Sequence, residues 1–221
     1  MQTVSRLAKL GLIETYEQEQ RRSPKREDVP PAGPLTLNAE QQIAFDGLNR
    51  QMTQEKPGAA LLYGVTGSGK TSVYLALIRS ALDAGRSAML LVPEIALTAQ
   101  LVDRLRQVFG ERVIAYHSKL TDRKRTELYL RLRDSAGGEL VIGARSAIFL
   151  PLRRLELVVV DEEHDPSYKQ TDPAPRYQAR DCAVLMTRLL GCRTLLGSAT
   201  PSLESYLNAA TGKYCLLHEK V

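Results

Sequence analysis

The chain has 221 residues and a mass of 24.5 kDa, which allows one full domain and part of a second but excludes two complete catalytic lobes. Hydrophobic residues make up 43% of the chain and charged residues 25%, so most of it is neither intrinsically disordered nor of low complexity. The net charge of +5 permits a polyanionic partner without demonstrating one.

The N-terminal part of the sequence predicts no core of its own. Apolar residues over 4–13 have the spacing of one short helix, and residues 14–34, rich in Glu, Gln, Arg and Pro, indicate an exposed strand or loop that merges into a linker. No apolar run is long enough to cross a bilayer, and the N-terminus lacks the features of a secretion signal. We therefore expect a soluble cytoplasmic protein with no membrane partner.

From residue 35 onward, short apolar runs alternate with amphipathic segments, a rhythm typical of βα units on a parallel sheet. The predicted strands cover residues 59–63, 87–92, 113–116, 140–142, 157–160 and 193–196. The predicted helices cover residues 39–51, 71–84, 97–109, 122–135 and 179–190. Residues 172–175 predict an exposed, proline-containing loop between a strand and a helix.

The three cysteines and the basic segment have ordinary structural interpretations. Cys182, Cys192 and Cys215 have the spacing of neither a disulfide framework nor a zinc site, and we expect buried small apolar residues in a reducing cytosol. The basic segment 119–133 could face DNA, but Leu128, Leu130 and Leu132 with Tyr129 favour an amphipathic helix that packs on the sheet and keeps its basic face solvated. His117 could lie near DNA or be an ordinary surface or core histidine.

The strongest motif follows the first predicted strand. Residues 64–71 read G-V-T-G-S-G-K-T, a full match to the phosphate-binding pattern G-x-x-x-x-G-K-[ST], and a predicted helix follows. The backbone N–H groups of such a loop, together with the helix N-terminus, favour phosphate. We expect Lys70 to reach the β and γ phosphates and the Thr71 hydroxyl to hold Mg²⁺. The expected phosphate-binding residues are Gly64, Thr66, Gly67, Ser68, Gly69, Lys70 and Thr71.

An acidic motif follows the strand predicted over residues 157–160, where the ligands of open α/β sheets bind. We expect Asp161 to support Mg²⁺ and Glu162 to orient and deprotonate the attacking water, with Glu163 as a spacer. A third motif, G-S-A-T-P at residues 197–201, offers the hydroxyls of Ser198 and Thr200 to the carboxylates or to the imidazole of His164. Taken alone this last string is weak, and a helix cap at Thr200 is the alternative.

Together these segments resemble motifs I, II and III of superfamily 2 helicases, in the D-E-x-H subgroup. Further segments are similar to those of one family in that subgroup, the primosomal replication-restart helicases (PriA); they cover residues 37–41, 92–98, 117–118, 142–151 and 161–170. Residues 4–19 also resemble the end of the winged-helix module that precedes the motor in that family.

The resemblance implies a RecA-like α/β P-loop domain over residues 37–221, a parallel sheet with helices on both faces, after a winged-helix remnant at 1–20 and a linker at 21–36. It implies a motor that uses ATP and Mg²⁺, moves 3′ to 5′ on DNA and unwinds duplex at stalled forks. Its partners would be single-stranded and forked DNA, primosome proteins, single-stranded DNA-binding protein and the loader of the replicative helicase.

Residue roles also follow from the resemblance. Gln41 would contact adenine, and His164, Ser198 and Thr200 would couple hydrolysis to movement. The expected contacts to single-stranded DNA are Pro93, Glu94, Thr98, Arg145 and Ser146, which can hold phosphates without reading bases. Thr98 as a polar helix residue and Arg145 as an ion-pair partner are the structural alternatives.

Two features depart from the family. The chain has no Trp, so the aromatic loop after residue 170 would be reduced, as a platform for stacking on bases, to Tyr168 and Tyr177. The chain ends at Val221, so the second lobe with its arginine finger, the zinc-binding cysteines and the fork-binding module would lie in other parts of the parent protein. We therefore expect the isolated chain to bind nucleotide weakly and to hydrolyse it poorly.

Two alternatives stay open. One is the motor lobe of another superfamily 2 DNA translocase, which would share the three motifs but lack the Tyr168-Lys169-Gln170 string. The other is a catalytically silent, nucleotide-dependent interaction module. The presence of Glu162 favours an enzyme, because a silent nucleotide switch needs no carboxylate that activates water.

Overall fold

The computed structural model describes residues 36–52 and 58–219 of the chain. The helix predicted over residues 4–13 lies outside the described residues. So do the predicted winged-helix remnant and, apart from Thr36, the predicted linker.

Helices and strands alternate along the described chain. The helices are α1 (Ala39–Met52), α2 (Lys70–Asp83), α3 (Ala99–Phe109), α4 (Asp122–Arg133), α5 (Ala179–Leu190) and α6 (Leu203–Ala210). The strands are β1 (Ala59–Gly64), β2 (Ser87–Leu91), β3 (Val113–Tyr116), β4 (Leu140–Gly143), β5 (Leu155–Asp161), β6 (Lys169–Gln170), β7 (Tyr177–Gln178), β8 (Arg193–Ser198) and β9 (Cys215–Glu219). Short 3₁₀ turns cover Glu94–Ala96, Gly110–Arg112, Arg145–Phe149 and Pro166–Tyr168.

Seven strands form one parallel sheet in the order β3-β4-β2-β5-β8-β1-β9. The register aligns the ends of the strands that carry the motifs, because Asp161 of β5 lies opposite Gly197 of β8, and Ser198 lies opposite Tyr63 of β1. Strands β6 and β7 form a separate antiparallel pair. Three of the motifs therefore share the carboxyl edge of three adjacent strands.

Alternate side chains of each strand enter one of two cores, as the two-residue period of a strand requires. Leu90 and Val159 pack on the face covered by α1, α2 and α3, whereas Met89 and Val160 pack on the face covered by α4, α5 and α6. The predicted fold class, a parallel α/β sheet with helices on both faces, is confirmed. Both faces are covered, so the strands read as continuous apolar runs.

All six predicted strands and all five predicted helices after residue 35 are confirmed, with ends that differ by one or two residues. One helix and three strands were not predicted: α6, the strand β9 and the two short strands β6 and β7. The predicted loop at residues 172–175 is exposed and connects β6 to β7. In α4, Leu128 and Leu132 are the buried residues; they are four apart and therefore lie on the same face of the helix. The expectation that Leu130 and Tyr129 also pack on the sheet is wrong, because both are exposed.

Cys192 is buried and burial raises the pKa of its thiol to about 11, while Cys182 and Cys215 are half-buried. Burial of all three was expected and holds only for Cys192. Among the described residues, no helix is both long and apolar enough to cross a membrane.

Candidate nucleotide site and nucleic-acid interface

The phosphate-binding loop connects β1 to α2. Gly67 and Gly69 have positive φ angles of 85° and 100°, which side chains other than glycine rarely adopt, and Gly69 caps α2. An added Cβ at Gly67 would meet nothing within 4 Å, so the space beside this glycine is open. The loop leads into the N-terminus of α2, whose free backbone N–H groups favour phosphate.

Lys70 is only 7% exposed, and its ammonium donates to the carbonyls of Gly64 (2.8 Å) and Val65 (3.1 Å). These contacts hold the cation inside the curve of the loop, beside the place where phosphate oxygens fit. Thr71, in the first turn of α2, is exposed. The donor set of this loop, one buried ammonium and one accessible hydroxyl, fits a nucleotide phosphate with its Mg²⁺.

Gln41 lies beside this loop. Its backbone N–H donates to the Asn38 side chain (2.8 Å) and its own side chain accepts from the Asn38 N–H (3.1 Å), a reciprocal cap at the start of α1. Its amide nitrogen also donates to the carbonyl of Ser68 at 3.4 Å. The expected adenine-contacting residue is therefore joined directly to the phosphate loop.

Asp161 ends β5 next to the phosphate loop. Burial and the neighbouring Glu162 charge raise the pKa of Asp161 above its ordinary value of 3.8, against the hydrogen bond from Tyr74 and the charge of Lys70. Two adjacent carboxylates, one of them largely desolvated, are a donor set that suits a divalent cation. The residues present at this position fit Mg²⁺.

Glu162 adopts a left-handed backbone conformation with φ of 45°. The chain turns here at the end of the strand, and the turn is held by hydrogen bonds from Glu163 N to Gly197 O (3.1 Å) and from Asp165 N to Glu162 O (2.8 Å). The Glu162 carboxylate lies 3.7 Å from Nδ1 of His164. The sequence does not predict this conformation, because Glu rarely adopts a left-handed backbone.

His164 joins the acidic motif to the third motif. Its Nδ1 lies 2.8 Å from the hydroxyl of Ser198, and its Nε2 lies 3.4 Å from the hydroxyl of Thr200. Ser198 in turn accepts from the Thr200 N–H (2.9 Å). The helix-cap alternative for Thr200 is wrong, because Ser202 caps α6 by accepting from the Ser205 N–H.

Glu163 is a buried centre of hydrogen bonds, and the expectation that it is a spacer is wrong. The side chain has no exposed surface and accepts from the Ser202 N–H (2.7 Å), the Ser202 hydroxyl (3.1 Å), the Ser205 hydroxyl (2.9 Å) and the Arg180 guanidinium (3.1 Å). These contacts tie β5 to the first turns of α5 and α6. The hydroxyls that follow the third motif were the available signal in the sequence.

The two tyrosines expected to stack on bases are not equally available. Tyr168 is fully buried and its hydroxyl donates to the carbonyl of Asp161, so the expectation that it forms a stacking platform is wrong. Tyr177 is half-buried and packs edge-on against Phe149, with ring centroids 4.8 Å apart. Burial places Tyr168 under the site instead of on its surface.

The residues expected to contact DNA follow β2 and β4, on the other side of β5 from the phosphate loop. Pro93 is buried at the start of a 3₁₀ turn, whereas Glu94 and Ser146 are exposed. The Thr98 hydroxyl caps α3 by accepting from the Leu101 N–H. Arg145 donates to the carbonyls of Ser167 (3.3 Å) and Lys169 (3.4 Å) and is hydrogen-bonded to the Tyr177 side chain. None of these three partners is a carboxylate, so the ion-pair alternative is not supported.

The sequence matches the DEAD/DEAH box helicase family over residues 39–209. It is 45% identical over 216 residues to the replication restart protein PriA of Chlamydia pneumoniae, covering 95% of this chain and 28% of that protein. It is 40% identical over 219 residues to PriA of Bacillus subtilis, covering 99% and 27%. The chain thus spans about a quarter of the length of these relatives.

Among solved structures, RecG bound to a three-way DNA junction superposes with a TM-score of 0.58 at 23% identity, covering 87% of this chain and 26% of that chain. The helicase domain of Hef from Pyrococcus furiosus superposes with a TM-score of 0.58 at 17% identity, covering 81% and 37%. At these identities the likeness shows a shared fold, that of a helicase RecA-like lobe.

Proposed function

Because this chain belongs to the DEAD/DEAH box helicase family, we propose that it is the first motor lobe of an ATP-driven DNA helicase that restarts replication. The proposal extends to movement from 3′ to 5′ and to unwinding at stalled forks. Its support is the 40–45% identity to replication restart proteins over most of the chain, together with the meeting of three motifs at one sheet edge.

Each group at that edge has a distinct task in this proposal. The loop N–H groups and Lys70 hold the β and γ phosphates, and Gln41 contacts adenine from its position beside Ser68. Thr71 and Asp161 would hold Mg²⁺, which would offset the negative charge that develops on the phosphates. Glu162 orients the attacking water and accepts its proton.

His164, Ser198 and Thr200 form the path by which hydrolysis affects movement. The His164 imidazole lies between the Glu162 carboxylate and the hydroxyls of Ser198 and Thr200. A movement of the Glu162 carboxylate can therefore be passed through this one side chain to the end of β8. Pro93, Glu94, Thr98, Arg145 and Ser146 face the single strand in this proposal. Contacts from hydroxyls and Arg145 to phosphate would be independent of base sequence.

The proposed partners are single-stranded and forked DNA, other primosome proteins, single-stranded DNA-binding protein and the loader of the replicative helicase. They belong to the whole parent protein, because this chain spans about a quarter of its relatives. In the same proposal, a second lobe supplies an arginine finger, worth about 10³–10⁵ in rate where measured. The isolated chain would then hydrolyse ATP slowly.

The observation that carries the proposal is the approach of Lys70, which follows β1, to Asp161 and Glu162, which end β5. His164 is bonded to Ser198 of β8, the strand between β1 and β5. The test measures Mg²⁺-dependent ATP hydrolysis by the full-length parent protein, with and without forked DNA, alongside Lys70→Ala, Glu162→Gln and the 221-residue chain. We expect strong stimulation by DNA that both variants and the isolated chain lose. Turnover that ignores DNA or survives Glu162→Gln would instead favour a nucleotide-dependent interaction module.

A further inference from the structure

Tyr168 makes one hydrogen bond under the acidic motif. Its ring has no exposed surface, and its hydroxyl donates to the main-chain carbonyl of Asp161 at 2.6 Å. That carbonyl belongs to the peptide group whose nitrogen is that of Glu162. The hydroxyl therefore fixes the plane of the peptide that immediately precedes the proposed general base.

The backbone at Glu162 needs such support. Its φ of 45° is unfavourable for a residue with a side chain. The orientation of the preceding peptide sets this φ together with the ψ of Asp161, and these two angles decide where the Glu162 carboxylate points. A change in this φ that the ψ of Asp161 does not offset would carry the carboxylate away from His164, which lies 3.7 Å from it.

Tyr168 is itself held on both sides. Its N–H donates to the carbonyl of Asp165 (3.3 Å), and the N–H of Ser167 donates to the Asp165 carboxylate (2.8 Å). Arg145 donates to the carbonyls of Ser167 and Lys169, the residues that flank the tyrosine in sequence. The ring is thus a fixed support and not a mobile aromatic side chain.

The chemistry of the phenol suits a permanent donor. Burial, followed by the charges of Asp161 and Asp165, raises the pKa of Tyr168 far above its ordinary value. The neutral phenol supplies its O–H to the Asp161 carbonyl.

We propose that Tyr168 is a positioning residue for hydrolysis, which aims the Glu162 carboxylate at the attacking water by fixing the Asp161–Glu162 peptide. This proposal rests on the proposed function, because it takes Glu162 as the general base. It assigns the tyrosine no contact with nucleotide or DNA. Its effect on ATP hydrolysis must therefore pass through Glu162.

The test uses the full-length parent protein with forked DNA and compares Tyr168→Phe with the unchanged protein. The substitution keeps the ring and removes only the donor. We expect kcat for ATP to fall about tenfold to a hundredfold, with KM and the affinity for a fluorescent ATP analogue unchanged. Tyr214→Phe is the matched control, because the partly buried Tyr214 side chain is hydrogen-bonded to Asn208, just before β9, and that bond does not involve the Asp161–Glu162 peptide.

A double-mutant cycle separates positioning from a general structural effect. In a Glu162→Gln background, we expect Tyr168→Phe to cause no further loss of kcat, since the group that it aims is already gone. Asp165→Ala supplies a second variant, which loosens the turn without touching the buried ring and should lower kcat in the same direction by a smaller factor.

An equal fractional loss of kcat in both backgrounds would overturn the proposal, and so would a rise in KM with kcat unchanged. Unchanged kcat in both Tyr168→Phe and Asp165→Ala would overturn it as well. Failure of the proposed function looks different, because Glu162→Gln alone would then leave hydrolysis intact.

Discussion

The carboxyl edge of the sheet has two halves that are built differently. The nucleotide half consists of the loops after β1, β5 and β8, and the outer half consists of the loops after β2 and β4. In the nucleotide half, polar groups such as Glu163, Lys70 and Ser198 are buried and bonded within the protein. In the outer half, Glu94 and Ser146 are exposed on short 3₁₀ turns.

Under the proposed function, this difference separates the residues that act on the nucleotide from the residues that bind DNA. A buried charge that loses its partner destabilises the fold as well as the site, whereas an exposed polar group contributes little to stability. The nucleotide half should therefore respond to substitution in stability and catalysis together. The outer half should respond in affinity for DNA while the fold remains intact.

The largest expected effect is at Glu163. Glu163→Ala removes one of the two carboxylates bonded to Arg180, itself only 12% exposed, and the acceptor of the Ser202 N–H and of two serine hydroxyls. We expect a loss of about 3–5 kcal/mol in the free energy of unfolding, measured by denaturant titration of this chain. An exposed ion pair on a helix should lose much less stability when its carboxylate is removed.

Asp103→Ala supplies that contrast. Asp103 pairs with Arg106 on α3 at 3.4 Å, but its side chain is 59% exposed. We expect a change within about 0.5 kcal/mol. Equal losses in the two variants would show that burial of the bonded carboxylate does not set the loss of stability.

A smaller loss is expected at Gly197, where β8 passes under the phosphate-loop helix. A Cβ at this position would lie 1.5 Å from the Tyr74 hydroxyl oxygen and 2.6 Å from its ring carbon Cζ. We expect Gly197→Ala to cost about 1–3 kcal/mol through overpacking, and adding Tyr74→Phe to restore part of the loss. Gly47→Ala is the control, because its Cβ would meet only the flexible end of Leu217 at 3.2 Å; additive losses from Gly197→Ala and Tyr74→Phe would contradict the contact.

The fold was largely predictable because its signals are local. Buried parallel strands appear as apolar runs such as Leu157–Val160, and the phosphate loop announces itself through glycines at fixed spacing. The short elements α6 and β9 were missed: α6 leaves Leu203 and Leu207 exposed, and β9 is an edge strand whose identity depends on pairing with β1.

The site was predictable in its motif residues but not in its supports. Glu163 and Tyr168 owe their importance to partners 39 and 7 residues away, in contacts that only the folded chain creates. Their side chains also look unremarkable in sequence, as a third acid in a cluster and as an aromatic in a loop. The left-handed conformation of Glu162 had no signal at all, since tertiary hydrogen bonds impose it.

In the outer half, Arg145→Ala tests affinity for DNA. Removing one phosphate contact should weaken binding of single strands by the parent protein about tenfold, irrespective of sequence, and reduce the salt slope of the affinity by about one. Arg188→Ala is the control, because this exposed arginine lies near the end of α5, at the opposite edge of the sheet. Fluorescence anisotropy over a salt series measures both; equal losses in the two variants would point to general basicity.

The smallest expected effect is a gain of stability in the nucleotide half. The pKa of Asp161 is raised in the folded protein, chiefly by burial, so the folded state binds its proton more tightly than the unfolded chain does. Stability therefore falls as the pH rises from the ordinary Asp value through the raised pKa, and the deficit persists at neutral pH. Asp161→Asn removes that deficit, so the variant should melt at a higher temperature at pH 7, and the difference in melting temperature should narrow toward pH 4.

Addition of ATP and Mg²⁺ should raise the melting temperature of the unchanged chain more than that of the variant, because only the carboxylate is stabilised by the cation. A variant less stable at pH 7 would mean that the Asp161 carboxylate stabilises the fold. The buried carboxylate of the nucleotide half would then not lower stability for the sake of function.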